Sequence, residues 1–129
     1  MEQLQRIMHV DDDEDIRQIV KLTLELIGKY SVAQFSSGQE AVDNAVNFAP
    51  QLIILDVMMP EMNGEETMHL LHKLPGLENV PIVFMTAKAE DGYSQKLIEQ
   101  GALHVIIKPF DPPEICNQIQ ATWEAYQAS

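Results

Sequence analysis

The chain has 129 residues, 46% hydrophobic and 22% charged, which fits one compact domain with its own core and argues against global disorder. Twenty acidic residues against eight Lys and Arg leave a formal charge of −12, which disfavours direct binding to nucleic acid or to an anionic membrane surface. No apolar run reaches the roughly 18–20 residues of a membrane span, the start lacks the apolar core of a signal peptide, and the single Cys116 has no intrachain partner. A cytoplasmic protein without membrane insertion is therefore expected.

Short apolar runs alternate with amphipathic stretches along the whole chain. Residues 6–10 form a compact run that ends in acid at Asp11. Ile16, Ile19, Val20, Leu24 and Ile27 then predict one face of a helix, with Gly28 as its stop. Residues 30–35 read as a second strand, followed by Ser36-Ser37-Gly38 as a turn and helix cap. Ala41, Val42, Ala45, Val46 and Ala49 repeat at helical spacing until Pro50. Residues 51–55 form a third strand whose Leu-Ile-Ile-Leu centre has no polar alternation, as suits a strand covered on both faces.

Residues 58–64 read as a loop, punctuated by Pro60 and Gly64. Met68, Leu71 and Leu74 carry the next helix up to Pro75-Gly76, and residues 80–85 form a fourth strand. A helix over 91–100 rests on Leu97 and Ile98 and stops at Gly101. A fifth strand follows over 103–107, and Ile115, Ile119, Trp123 and Tyr126 mark a final helix. Five strands alternating with five helices predict an α/β fold: a doubly wound, five-stranded parallel sheet. Of the common orders, 2-1-3-4-5, the flavodoxin-like (βα)5 arrangement, suits this length best.

In such a sheet, ligands bind beyond the carboxyl ends of the strands, where the strand order switches. Here the first strand runs into Asp11-Asp12, the third into Asp56, the fourth into Thr86 and the fifth into Lys108, so three acids, a hydroxyl and an ammonium converge on one edge. Asp13, Glu14 and Asp15 read differently, as first-turn acids favoured by the helix dipole. Two carboxylates ~4 Å apart repel by about 4 kcal/mol at an effective dielectric of 20. Asp11, Asp12 and Asp56 either form a solvated loop or share a hard divalent cation, for which Mg²⁺ (or Mn²⁺) with oxygen ligands is the natural choice. Asp56 could be a passive ligand of that ion or a nucleophile forming an aspartyl phosphate, with Lys108 neutralising phosphoryl oxygens and Thr86 donating a hydrogen bond.

Val10-Asp11-Asp12, Leu55-Asp56-Val57-Met58-Met59-Pro60, Met62-Asn63-Gly64, Met85-Thr86-Ala87 and Lys108-Pro109-Phe110 together resemble the receiver domain of two-component response regulators, in order and spacing and without a gap. The resemblance runs from Arg6 to about Tyr126. Residues 1–129 thus read as a single receiver domain with no output domain, whether free-standing, a relay intermediate or a portion of a longer protein. The resemblance implies a CheY-like phosphorylation switch rather than an enzyme acting on other substrates. Asp56 would accept a phosphoryl group from a phosphohistidine of a sensor histidine kinase or a histidine phosphotransfer protein. Asp11, Asp12, Asp56 and the Met58 backbone carbonyl would hold Mg²⁺, and Lys108 and Thr86 would bind the phosphoryl oxygens. A downstream protein partner is expected but not specified. The family usually has a cis bond at the position of Lys108-Pro109.

Two positions depart from the family pattern. Val105 stands where an aromatic residue often moves inward on activation, so an aromatic switch is not expected. Met58, two residues after Asp56, cannot orient attacking water as an amide or carboxylate would, so a long-lived phosphoryl group is expected. Among lesser residues, His9 reads as a neutral core histidine, His69 and His72 as a solvated helix face, Cys116 as packing, and Lys88 as either a phosphate shield or a solvated cation. Two other functions use related folds. A phosphatase of the haloacid dehalogenase type wants an Asp where Met58 stands, and a flavin carrier wants a hydroxyl-rich phosphate loop where the chain has Asp11-Asp12-Asp13.

Overall fold

The computed structural model describes residues 2–87 and 92–128. Five strands alternate with five helices: β1 (Arg6–Val10), α1 (Glu14–Leu26), β2 (Ser31–Phe35), α2 (Gly38–Phe48), β3 (Leu52–Asp56), α3 (Gly64–Leu71), β4 (Ile82–Thr86), α4 (Tyr93–Glu99), β5 (His104–Ile107) and α5 (Pro112–Ala128). All pairings are parallel, and the strand order is β2-β1-β3-β4-β5, as the alternation of elements predicts. Among the described residues, no helix is long and apolar enough to cross a membrane.

The purely apolar runs become the inner strands. Every residue of β3 and β4 is buried, because helices cover both faces of the sheet. Alternate side chains feed two cores. One holds Met8, Val10, Ile53, Leu55 and Phe84 with Ala41, Ala45, Met68 and Leu71; the other holds Ile7, Leu52, Ile54, Val83 and Met85 with Val20, Leu24, Ile115, Ile119 and Trp123. Fully burying side chains of this size contributes roughly 1.5–3 kcal/mol each, and the two layers hold the strand ends in a fixed register.

Several details differ from the sequence reading. On α1 the buried line is Val20, Thr23 and Leu24, while Ile19 and Ile27 lie exposed with Leu22 and Leu26. The helix carries apolar residues around more of its circumference than the sheet covers. Val46 and Ile98 are likewise exposed, and Ala49 leaves α2 as a left-handed cap with φ 56°. Helix α3 stops at Leu71, short of Leu74, as the chain tightens into i→i−3 bonds from Lys73 N to Leu70 O and from Leu74 N to Leu71 O. His72 then turns inward so that its Nε2 lies 3.0 Å from the Val80 carbonyl, so it is not part of a solvated face, whereas His69 is exposed. The start of the predicted 91–100 helix and Lys88 lie outside the described residues.

Candidate functional site

The register places the chemistry-bearing residues side by side. Asp56, the last residue of β3, pairs with Met85, and Thr86, the last of β4, pairs with Ile107. Beyond the strand ends, Asp11 N donates to Phe35 O and Lys108 N to Thr86 O, so the backbones that carry Asp11 and Lys108 continue the sheet for one more bond. Gly64 closes the far side of the site: its N–H donates to Val57 O at 2.8 Å. A Cβ there would collide with the Asp56 carbonyl oxygen and the Val57 Cα, so only glycine lets α3 start this close to the end of β3. Asn63 caps that helix through a capping box with Glu66.

Asp11, Asp12 and Asp56 each bring a carboxylate oxygen within 4.8 Å of the others. Asp11 is fully buried, Asp56 is 5% exposed and Asp12 faces solvent. Lys108 Nζ lies 3.2 Å from Asp11 Oδ2 and 3.1 Å from Asp56 Oδ1, bridging the two buried acids. Burial, and then the Asp11 charge, push the Asp56 carboxyl up to about 6 against the opposing pull of Lys108. For Lys108, burial alone would lower the ammonium, but Asp11 and Asp56 outweigh it and the net direction is upward. Among the described residues, three clustered carboxylates, two of them paired with the one Lys108 ammonium, leave a surplus of negative charge at this partly buried site. The donor set is all oxygen, with one member open to solvent, and it fits a hard divalent ion that keeps part of its water shell.

Thr86 is fully buried at the end of β4, and the Met58 side chain is 59% exposed on the loop after β3. Asp13 caps α1, its carboxylate accepting from Asp15 N and Ile16 N, while Glu14 and Asp15 occupy the first turn, as the dipole reading expects. The Lys108-Pro109 bond is cis. Val105 is partly buried, and neighbouring His104 has its Nε2 3.1 Å from Gln118 Oε1. His9 is fully buried, and burial, followed by the charges of Lys108 and Arg17, lowers its imidazole to about 3, so it is neutral in the fold.

Two residues beside the site were not singled out by the sequence. Arg17 Nη1 donates to the Asp11 carbonyl at 2.6 Å, and Gln34 Nε2 lies 2.8 Å from Arg17 O and 3.0 Å from His9 Nδ1. An arginine one turn after an acidic cap was the available signal, but which group it would reach depends on the fold.

Known proteins share this arrangement. The sequence model of the response regulator receiver domain matches residues 7–120. The chain belongs to that family. Relatives of this receiver domain include the transcriptional regulatory protein SrrA of Staphylococcus aureus, 34% identical over 123 residues, which cover 95% of this chain and 49% of that protein. The chain therefore spans about half the length of the curated relatives it matches. Among solved structures, the chemotaxis response regulator CheY4 of Vibrio cholerae superimposes with a TM-score of 0.85 at 29% identity, over 93% of this chain and 99% of that one. A CheY-like receiver domain protein from Methanospirillum hungatei gives 0.83 at 28% identity, over 98% and 100%. Membership places the receiver in two-component signalling and sets aside the phosphatase and flavin-carrier readings.

Proposed function

We propose that this receiver is a switch operated by phosphorylation of Asp56. The observation that carries the reading is the Lys108 ammonium bridging Asp11 and Asp56 within a cluster of three carboxylates. An oxygen of Asp56 would attack the phosphorus of a phosphohistidine on a sensor histidine kinase or histidine phosphotransfer protein. As the O–P bond forms, the P–N bond breaks, and the released imidazole takes a proton from water. Mg²⁺ (or Mn²⁺) held by Asp11, Asp12, Asp56 and the Met58 carbonyl would neutralise the charge gathering on the phosphoryl oxygens. Asp11, already fixed by its bond to Lys108, keeps that ammonium beside the attacking carboxylate. Lys108 then holds one phosphoryl oxygen, and the Thr86 hydroxyl, at the end of the adjacent strand, binds another.

The acyl phosphate carries more negative charge and more acceptor oxygens than the carboxylate it replaces. Groups that bond those oxygens favour one of two arrangements of their loops, which a downstream protein partner would read. The test is incubation with a phosphorylated histidine donor and Mg²⁺. The wild-type chain should gain one acid-stable, base-labile phosphoryl group, and Asp56→Ala should gain none. Equal labelling of the two proteins would refute the assignment of Asp56.

A further inference from the structure

The carbonyl of Asp11 stands where the β1 ladder ends, on a residue with no solvent exposure, and a carbonyl so placed needs a donor. Arg17 supplies it with a charge-assisted bond of 2.6 Å. A cation within the first turns of a helix works against the dipole, and no carboxylate among the described residues forms an ion pair with it. Its carbonyl is held in turn. Because the Gln34 amide nitrogen donates to that carbonyl, the same nitrogen also donates to His9 Nδ1. The imidazole proton therefore sits on Nε2, the one buried side-chain polar atom among the described residues without a hydrogen-bond partner. A buried donor left unsatisfied is destabilising, because folding strips its water and gives nothing back. An aliphatic side chain at position 9 would avoid that cost but could not accept from Gln34.

We infer that Arg17, held by Gln34 and His9, is a positioning residue for the acidic pocket: its bond to the Asp11 carbonyl fixes residues 11–13 so that Asp11 and Asp12 face Asp56 at the spacing a divalent cation requires. The inference rests on the proposed metal-binding reading of those acids. The sign of the effect separates this role from simple electrostatics. Removing a positive charge beside three carboxylates should tighten cation binding. Losing a brace should weaken it, because the loop must then be ordered by the ion.

The experiment is a Mg²⁺ titration of the full chain followed by amide NMR, without any phosphodonor, on wild type, Arg17→Met, Arg17→Lys and Val20→Ala. Arg17→Met should bind Mg²⁺ three- to tenfold more weakly and show faster hydrogen exchange at the Asp13 amide, which donates to Asp11 Oδ1. Arg17→Lys, which can still reach a carbonyl, should recover most of the affinity. Val20→Ala loosens the same helix from the core and should keep wild-type affinity. Unchanged or tighter binding by Arg17→Met, or an equal loss in Val20→Ala, would overturn the inference while leaving the metal site standing. No Mg²⁺ response at Asp12 and Asp56 in wild type would overturn both.

Discussion

The two ends of one sheet are built on opposite principles. At the amino end, side chains tie to the backbone: Gln51 Oε1 accepts from Gln5 N and Arg6 N, its amide donates to Gln3 O, Arg6 Nε donates to Ala49 O, and Trp123 Nε1 donates to Glu2 O. At the carboxyl end, among the described residues, two buried carboxylates pair with one ammonium and a third carboxylate lies beside them. The first end ties strands and helices together. The second keeps charge unbalanced where, on the proposed function, a cation and a phosphoryl group would enter. Strand ends by themselves therefore do not make a site; the surplus of like charge at one of them does.

The largest test of that contrast is the stability of the metal-free protein. Asp56 holds its proton up to about pH 6 in the fold, against an ordinary value of 3.8, so the folded state loses stability as pH rises through this window and stays lower above it. The cost at neutral pH is about 1–3 kcal/mol. Asp56→Asn should raise the free energy of unfolding by that amount near neutral pH, with the gain shrinking as pH falls from 6 towards 3.8. Urea denaturation in the presence of a chelator measures it, and Mg²⁺ should close the gap by stabilising wild type alone.

The converse substitution lies at the amino end. Gln51→Ala removes three hydrogen bonds from a buried side chain and should cost about 2 kcal/mol by the same measurement, with Mg²⁺ affinity unchanged within twofold. A matching loss of affinity would mean that the two ends are not independent. The smallest effect concerns Met58. A thioether cannot orient attacking water, so Met58→Asn should shorten the lifetime of the phosphoryl group a few-fold, read by loss of label after the donor is removed. An unchanged lifetime would reject that role for position 58.

Much of this was legible in the chain, and for a definite reason. Apolar runs without alternation announce buried parallel strands, and the first polar residue after each must emerge at the same edge, so Asp11, Asp56, Thr86 and Lys108 could be grouped before any coordinates. Exposure on the helices was less legible. Ile19, Leu22, Leu26 and Ile27 have the composition of a core, but coverage depends on how α1 lies across the sheet. A local cap such as Ser37 on Glu40 N could be read from the sequence, but side-chain bonds to more distant backbone could not. The reach of Arg17 to Asp11 O, or of His72 to Val80 O, is set by where a helix ends and which strand lies beside it.

The most direct measurement of the central claim is the amide NMR spectrum recorded before and after adding Mg²⁺ and beryllofluoride, a mimic of the aspartyl phosphate. The account predicts shifts at Asp11, Asp12, Asp56, Thr86 and Lys108, with Gln5, Arg6 and Gln51 left in place. Unmoved signals at Asp56 and Lys108 would contradict it.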